Sequence, residues 1–111
     1  MRRIFPPWLS PAIVFCCLAC PAMLRAESDH AKTFKANCVL CHSVNGSGDS
    51  PAGKALHAKD LRSAEVQAES DAALREIIAK GKGKMPAFAA KVPADDLARL
   101  VAYMRELAKN K

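Results

Sequence analysis

The sequence contains no run in which apolar and polar residues alternate, the pattern that indicates a half-buried β-strand. It also lacks a pair of acidic catalytic residues, a nucleophile elbow and a glycine loop suited to phosphate. Basic and aromatic residues are not combined in the way that a nucleic-acid surface requires. These absences argue against a strand-rich fold and against several common enzyme classes. They also lead us to expect no nucleic-acid partner.

An apolar run long enough to cross a bilayer comfortably is missing as well. The longest run, residues 8–20, follows two arginines and precedes the small residue Ala26, which is the layout of a secretory signal peptide. We therefore expect residues 1–26 to be a signal peptide and residues 27–111 to form one periplasmic or otherwise exported domain. An uncleaved membrane anchor is the alternative interpretation. Once the segment is cleaved, no stable membrane insertion is expected.

Cysteine is scarce, with five residues in 111. Cys16, Cys17 and Cys20 lie in the predicted signal peptide, so only Cys38 and Cys41 remain in the exported domain. Free thiols rarely persist in an oxidising compartment without a purpose. A domain of about 85 residues is also near the size at which a hydrophobic core alone gives little stability. We therefore expect a disulfide, a metal or a covalently held cofactor to stabilise it.

Three helices are predicted from the spacing of apolar residues. The first begins near Ser28 or Asp29, and the second covers residues 70–80, before two glycines. The third covers residues 93–109 and has the clearest amphipathic pattern. Its apolar stripe consists of Leu97, Leu100, Val101, Met104 and Leu107. Residues 43–55 contain three glycines and a proline and are predicted to be a loop, so the domain is expected to be all-α.

The two remaining cysteines lie in the segment NCVLCH, residues 37–42. Two thiols three residues apart are compatible with a disulfide, half of a zinc site or a thioredoxin-like redox centre, but the histidine that follows is typical of c-type haem attachment. Zinc would need about four ligands, and a thioredoxin-like centre would need strands. We therefore predict that Cys38 and Cys41 hold one covalent haem c through thioethers and that His42 binds its iron.

The sixth position of the iron has three candidate ligands, His57, Met85 and Met104. Met104 belongs to the apolar stripe of the third helix and is interpreted as a core residue, while nothing marks His57 beyond its identity. Met85 lies between Gly83 and Pro86, in a loop whose glycines permit close backbone approach and whose proline restricts the chain after the sulfur. Because methionine and histidine are a standard cytochrome axial pair, we predict that Met85 binds the iron.

Together these residues resemble the class I c-type cytochromes, particularly the small bacterial and algal ones. The resemblance rests on the haem motif, on Met85 after a glycine-lysine loop and on the helix that contains residues 100–104, and it covers essentially the whole exported domain. It implies a cytochrome c-like helical fold around one haem, in which the first and last helices cross. Phe34 and Tyr103 match the positions at which the family packs aromatic rings at that crossing.

The resemblance has one departure and one further implication. The family often has a glycine where the first helix meets the last, and this sequence has His30 or Ala31 there. In many members a proline carbonyl after the haem motif accepts the proton of the far nitrogen of the axial histidine. Here that implies a hydrogen bond between Pro51 and His42, which would orient the imidazole and tune the iron.

If His42 and Met85 both bind, no iron position remains open for substrate or oxygen. We therefore expect a monomeric one-electron carrier and not an enzyme. Lys80, Lys82 and Lys84 flank Met85, and we expect them either to guide redox protein partners with acidic docking surfaces or simply to solvate the loop. Two alternatives stay open. One is a haem-containing subunit docked to a larger dehydrogenase or oxidase, and the other is a haem peroxidase or gas sensor in which Met85 does not bind the iron.

Overall fold

The computed structural model describes residues 28–111, so the predicted signal peptide lies outside the described residues. Six helices follow one another: α1 (Asp29–Asn37), α2 (Val39–His42), α3 (Pro51–Leu56), α4 (Ala64–Gln67), α5 (Asp71–Lys80) and α6 (Ala94–Lys109). Residues 28–111 contain no β-strand. Lys82 and Met85 form an isolated antiparallel β-bridge. The all-α prediction is therefore confirmed.

The three longest helices, α1, α5 and α6, are the three that apolar spacing predicts. Helix α5 has the expected cap, because the Ser70 hydroxyl accepts a hydrogen bond of 3.1 Å from the amide of Ala73. Gly81 ends α5 at a positive φ of 78°. Helix α6 carries Asp95 and Asp96 in its first turn, where acidic side chains stabilise the helix dipole.

Helix α6 lies at the centre of the hydrophobic core, because it packs against both α1 and α5. Its residues Leu100 and Val101 are each 1% exposed, and complete burial of such a side chain is worth about 1.5–3 kcal/mol. The remaining core residues are Phe34, Leu61, Val66, Leu74, Ile78, Val92, Leu97 and Met104. The three helices thus bury four residues of the stripe predicted on α6, Leu107 is partly buried against them, and the core also includes Leu61 and Val92 of the connecting segments.

The contact between α1 and α6 contains the predicted aromatic pair. The rings of Phe34 and Tyr103 meet edge to face with centroids 5.2 Å apart, an arrangement worth about 0.5–1.5 kcal/mol beyond the area buried. The ring of His30 also contacts Tyr103, at a centroid distance of 5.7 Å. Ala31, one of the two residues expected where the family often has glycine, is buried in α1.

The prediction that residues 43–55 form a loop throughout is wrong, because helix α3 begins at Pro51. The Ser50 hydroxyl caps it by accepting a hydrogen bond of 2.9 Å from the amide of Gly53, and a proline at the first helical position is pre-organised for a helix. Gly53 suggested a loop but has a packing role instead. A Cβ atom there would collide with the carbonyl of Cys41, so glycine lets α3 lie directly against α2.

Arg105 of α6 holds the end of α4 and the start of α5 against the last helix. Its guanidinium donates to the carbonyl oxygens of Gln67 at 2.9 Å and Glu69 at 2.6 Å, and it contacts the carboxylate of Asp71 at 2.9 Å. These bonds satisfy carbonyls at the end of α4, which its own helix leaves without partners. Over residues 28–111, none of the helices combines the length and apolar character needed to cross a membrane.

Candidate haem site

The two cysteines and the histidine are brought together by the junction of α1 and α2. Cys38 lies between the helices, and its amide donates to the carbonyl of Phe34 at 2.8 Å, so the chain leaves α1 in a fixed direction. Helix α2 is a single turn, closed by a 2.9 Å hydrogen bond from the amide of His42 to the carbonyl of Cys38. Cys38 and Cys41 are half-buried free thiols and do not form a disulfide with each other.

The environment of Cys38 keeps its sulfur protonated. Burial, followed by the proximity of Cys41, raises the pKa of the Cys38 thiol to about 11. Without an attached cofactor, the side chain is therefore a thiol and not a thiolate at neutral pH. Within residues 28–111, no group of three or more His, Cys, Asp or Glu side chains is arranged to hold a metal ion, so the zinc interpretation has no ligand set there.

The imidazole of His42 is held by its own hydrogen bond. Its Nδ1 lies 3.0 Å from the carbonyl oxygen of Lys59, and because a carbonyl can only accept, Nδ1 must carry the proton. In the neutral ring the lone pair is then on Nε2, the nitrogen left to bind a metal. Burial lowers the pKa of His42 below its ordinary value, and the bond to Lys59 partly offsets this effect. The ring is thus neutral and able to bind a metal at physiological pH.

The partner of His42 differs from the one that the family resemblance implies. Lys59, and not Pro51, supplies the carbonyl that accepts the Nδ1 proton. Pro51 is an exposed residue at the first position of α3, where it stiffens the start of that helix. The expected role of Pro51 is therefore corrected. The chain returns to the histidine after α3, and the acceptor comes from that returning segment.

A cavity of about 720 Å³ lies next to the haem motif. Cys38, Cys41, His42 and Met85 all line it. The apolar part of its wall includes Phe34, Leu61, Val66, Leu74, Ile78, Phe88 and Leu100. A cavity of this volume is within the range of about 300–1,000 Å³ that cofactor pockets occupy. Two thiols, a neutral imidazole and a thioether facing an apolar cavity form a donor set that fits a covalent haem.

Met85 is half-buried, and its backbone is fixed by two hydrogen bonds with Lys82. The amide of Lys82 donates to the carbonyl of Met85 at 3.1 Å, and the amide of Met85 donates to the carbonyl of Lys82 at 3.0 Å. The two other candidate ligands also line the cavity. Met104 is 6% exposed and belongs to the core, whereas His57 is exposed and ends α3 in a left-handed conformation.

The charged side chains near Met85 are not all equivalent. Lys82 and Lys84 are exposed and line the rim of the cavity. Lys80 is bonded to Glu76 at 2.7 Å on the same helix face, which partly neutralises it. The two lysines of the turn are therefore better placed than Lys80 to present positive charge beside the cavity.

Two residues of the site, Ser50 and Lys59, are not among those predicted from the sequence. The Ser50 hydroxyl, besides capping α3, donates to the carbonyl of Leu40 at 2.7 Å and so links α3 to the turn that carries the haem motif. A serine before a proline is a recognisable cap signal and would have located α3. Lys59 acts through its backbone carbonyl, and no side-chain pattern reveals such a contact.

The known proteins that this chain resembles in sequence include cytochromes. A family model described as cytochrome C oxidase, cbb3-type, subunit III matches residues 25–104. Cytochrome c6 of Gloeothece citriformis is 33% identical over 90 residues, which is 80% of this chain and 78% of the relative. Cytochrome c6 of Thermosynechococcus vestitus is 30% identical over 109 residues, which is 97% of this chain and 95% of the relative.

A solved structure agrees with these sequence matches. The KustC0563 c-type cytochrome superposes with a TM-score of 0.66 at 30% sequence identity, covering 72% of this chain and 98% of its own. The chain therefore belongs to the c-type cytochromes, as a small class I member. It carries one covalently bound haem c with its iron, and it is a monohaem electron carrier that serves redox partners, not an enzyme.

Proposed function

We propose that the protein is an exported, periplasmic one-electron carrier whose iron is bound by His42 and Met85, with the haem held by thioethers to Cys38 and Cys41. The observation that carries the proposal is the shared cavity. It is lined by both thiols, by an imidazole whose free lone pair is on Nε2, and by a methionine on a backbone-fixed turn. With His42 and Met85 as its ligands, a bound haem would exchange one electron without a change of coordination.

Each residue of the site contributes a separate property. The thiols attach the cofactor covalently, which adds stability to a small domain. The hydrogen bond from His42 to Lys59 fixes the ring and increases its basicity. The thioether of Met85 is a soft, neutral ligand, so it favours the reduced state compared with a second imidazole. The apolar cavity wall keeps water away, and this also favours the state of lower charge.

We propose that Lys82 and Lys84 guide acidic redox partners toward the cavity rim. Both side chains are exposed and line the rim, and a local excess of positive charge accelerates encounter with a negative surface at low ionic strength. The proposed domain division follows from the sequence pattern: residues 1–26 serve as a signal peptide, and residues 27–111 act as a monomer after export.

Carbon monoxide tests the proposed axial ligands, because it binds ferrous haem only where a position is open. We expect the reduced wild-type holoprotein to bind it slowly or not at all and a Met85→Ala variant to bind it readily. Met104→Leu and His57→Ala are the matched controls, since each removes one of the other candidate ligands. Both controls should stay inert. Rapid binding by the wild type would show that the sixth position is open and would contradict the proposal.

A subunit permanently docked to a larger exported oxidoreductase is the second candidate function. It is supported by three exposed apolar side chains, since Leu40 is 76%, Val44 62% and Leu56 42% exposed. Leu40 and Leu56 also line the cavity. Purification from native membranes and extracts separates the two functions. A docked subunit remains with a larger complex through sedimentation, whereas a free carrier sediments as a monomer.

A further inference from the structure

Gly48 lies between the backbone of His42 and the carbonyl that holds the His42 ring. It is buried and has a φ of +73°. Its amide donates to the backbone carbonyl of His42 at 2.9 Å. This hydrogen bond ties the loop after the haem motif to the end of α2.

The other side of Gly48 faces the segment that returns from α3. A Cβ atom at this position would lie 2.7 Å from the carbonyl oxygen of Ala58 and 3.1 Å from that of Lys59. The first distance is shorter than real Cβ contacts allow, and both atoms belong to backbone that cannot rotate aside as a side chain does. Any larger residue at Gly48 must therefore displace the Ala58–Lys59 backbone.

We propose that Gly48 is a positioning residue for the axial histidine. Its missing side chain lets the Lys59 carbonyl approach to 3.0 Å from Nδ1 of His42, while its amide fixes the backbone of the same histidine. Gly48 thereby sets the strength of the Nδ1 hydrogen bond and, through it, the electron donation of His42 to the iron. This inference rests on the proposed function, in which His42 binds the iron.

The direction of the effect on the potential follows from the basicity of the imidazole. A hydrogen bond from Nδ1 to a carbonyl makes the ring a stronger donor through Nε2. A stronger donor stabilises ferric iron more than ferrous iron and lowers the midpoint potential. Displacing the Lys59 carbonyl weakens the bond, so a substitution at Gly48 raises the potential.

The experiment compares Gly48→Ala with Gly46→Ala in the haem-loaded protein. Gly46 is in the same loop with a φ of +80°, so alanine suffers similar backbone strain there. Its Cβ would instead meet Leu107 Cδ1 at 3.1 Å and Leu61 Cβ at 3.4 Å, both of them side-chain atoms. The midpoint potential and the exchange rate of the His42 Nδ1 proton in the ferrous protein are measured for both variants, the latter by NMR.

We expect Gly48→Ala to raise the midpoint potential and to accelerate Nδ1 proton exchange by roughly two- to tenfold, the ratio that one net hydrogen bond represents. Gly46→Ala should leave both values close to those of the wild type. Equal changes in the two variants, or none in Gly48→Ala, would overturn the positioning role. If Gly48→Ala yields no holoprotein, the exchange rate of the His42 Nδ1 proton in the wild type is the test. Exchange as fast as in an exposed histidine ring would overturn the positioning role. Protection of this proton from exchange would support it.

A failure of the proposed function is visible separately. In the wild-type ferrous protein, an iron-bound histidine has ring protons strongly displaced by the ring current of the macrocycle. Ordinary shifts for His42 would show that it does not bind the iron, and this would remove the proposed function together with the positioning role. Displaced His42 shifts combined with unchanged exchange in Gly48→Ala would remove the positioning role alone.

Discussion

The two residues proposed as axial ligands are held by the protein in different ways. The His42 side chain is fixed by its own hydrogen bond to Lys59, and its backbone by bonds to Cys38 and Gly48. Met85 is positioned through its backbone, by the paired bonds with Lys82, and its side chain is held by packing against the core. Because directional bonds hold His42 and mainly packing holds the Met85 side chain, we predict that Met85 is the more easily displaced of the two proposed ligands.

The largest effect is expected where covalent attachment is removed. Cys41→Ala leaves one thiol for the haem, so we expect most of the mature holoprotein to be lost. Met85→Ala is the matched variant, because it retains both thiols and should mature with its haem attached. Yield and covalent haem content are measured on denatured protein. A Cys41→Ala variant that matured normally with two covalent links would contradict the assignment of the cysteines.

The next largest effect is expected in the local opening of the two segments that carry Met85 and His42. The Met85 amide donates to Lys82 at 3.0 Å and the Gly48 amide donates to His42 at 2.9 Å, so the two bonds are nearly equal in length. We expect the Met85 amide to open at least about tenfold more often, about 1.4 kcal/mol more easily, because its turn has fewer anchors. Native-state hydrogen exchange, corrected for intrinsic rates, measures this ratio. Equal protection of the Met85 and Gly48 amides would show that the two segments are held equally firmly, which would contradict the prediction.

A smaller effect is expected at Ser50, which supports the segment that carries His42. Its hydroxyl caps α3 and also bonds the Leu40 carbonyl, so Ser50→Ala should cost about 1–3 kcal/mol of unfolding free energy. Ser70→Ala is the control, because Ser70 caps α5 by a single bond to Ala73 and should cost about 0.5–2 kcal/mol. Denaturant unfolding of both holoproteins gives the difference. An identical loss in the two variants would show that the bond to Leu40 contributes nothing.

The smallest effect is expected at the rim of the cavity. Lys82→Gln or Lys84→Gln should slow electron transfer to an acidic redox partner by roughly two- to fivefold at low ionic strength, since one exposed charge pair is worth about 1 kcal/mol or less. Lys109→Gln, at the end of α6, should have little effect. Stopped-flow rates measured over a range of salt concentrations test this. If all three substitutions changed the rate equally, the effect would come from the net charge of the protein and not from lysines at the cavity rim.

The difference between local patterns and long-range contacts explains what could be predicted from the sequence. Helices α5 and α6 present apolar side chains at helical spacing to the core, and their limits are marked by Ser70, Gly81 and the acidic start of α6. Periodicity and caps are local properties, so these helices were predicted closely. Helices α2 and α4 have four residues each, too few for a period to appear.

The haem motif itself is also local and was recognised from its spacing. Its surroundings were not, because they depend on contacts between distant backbone atoms. Gly53 looked like part of a loop until its contact with the Cys41 carbonyl gave it a packing role. The acceptor for His42 was expected at Pro51 and lies at Lys59, eight residues further along the chain. A backbone carbonyl belongs to every residue, so side-chain identity does not indicate which one will be used.

The contact between α1 and α6 has a consequence for folding kinetics. The 56 residues between Asn37 and Ala94 must be brought into a closed loop before Phe34 can meet Tyr103. Such closure is costly in entropy and slows the search for the native topology. The helix that leads into the haem motif thus depends for its tertiary contact on the far end of the domain, and a cofactor attached at its end would supply an apolar surface around which the intervening chain can collapse.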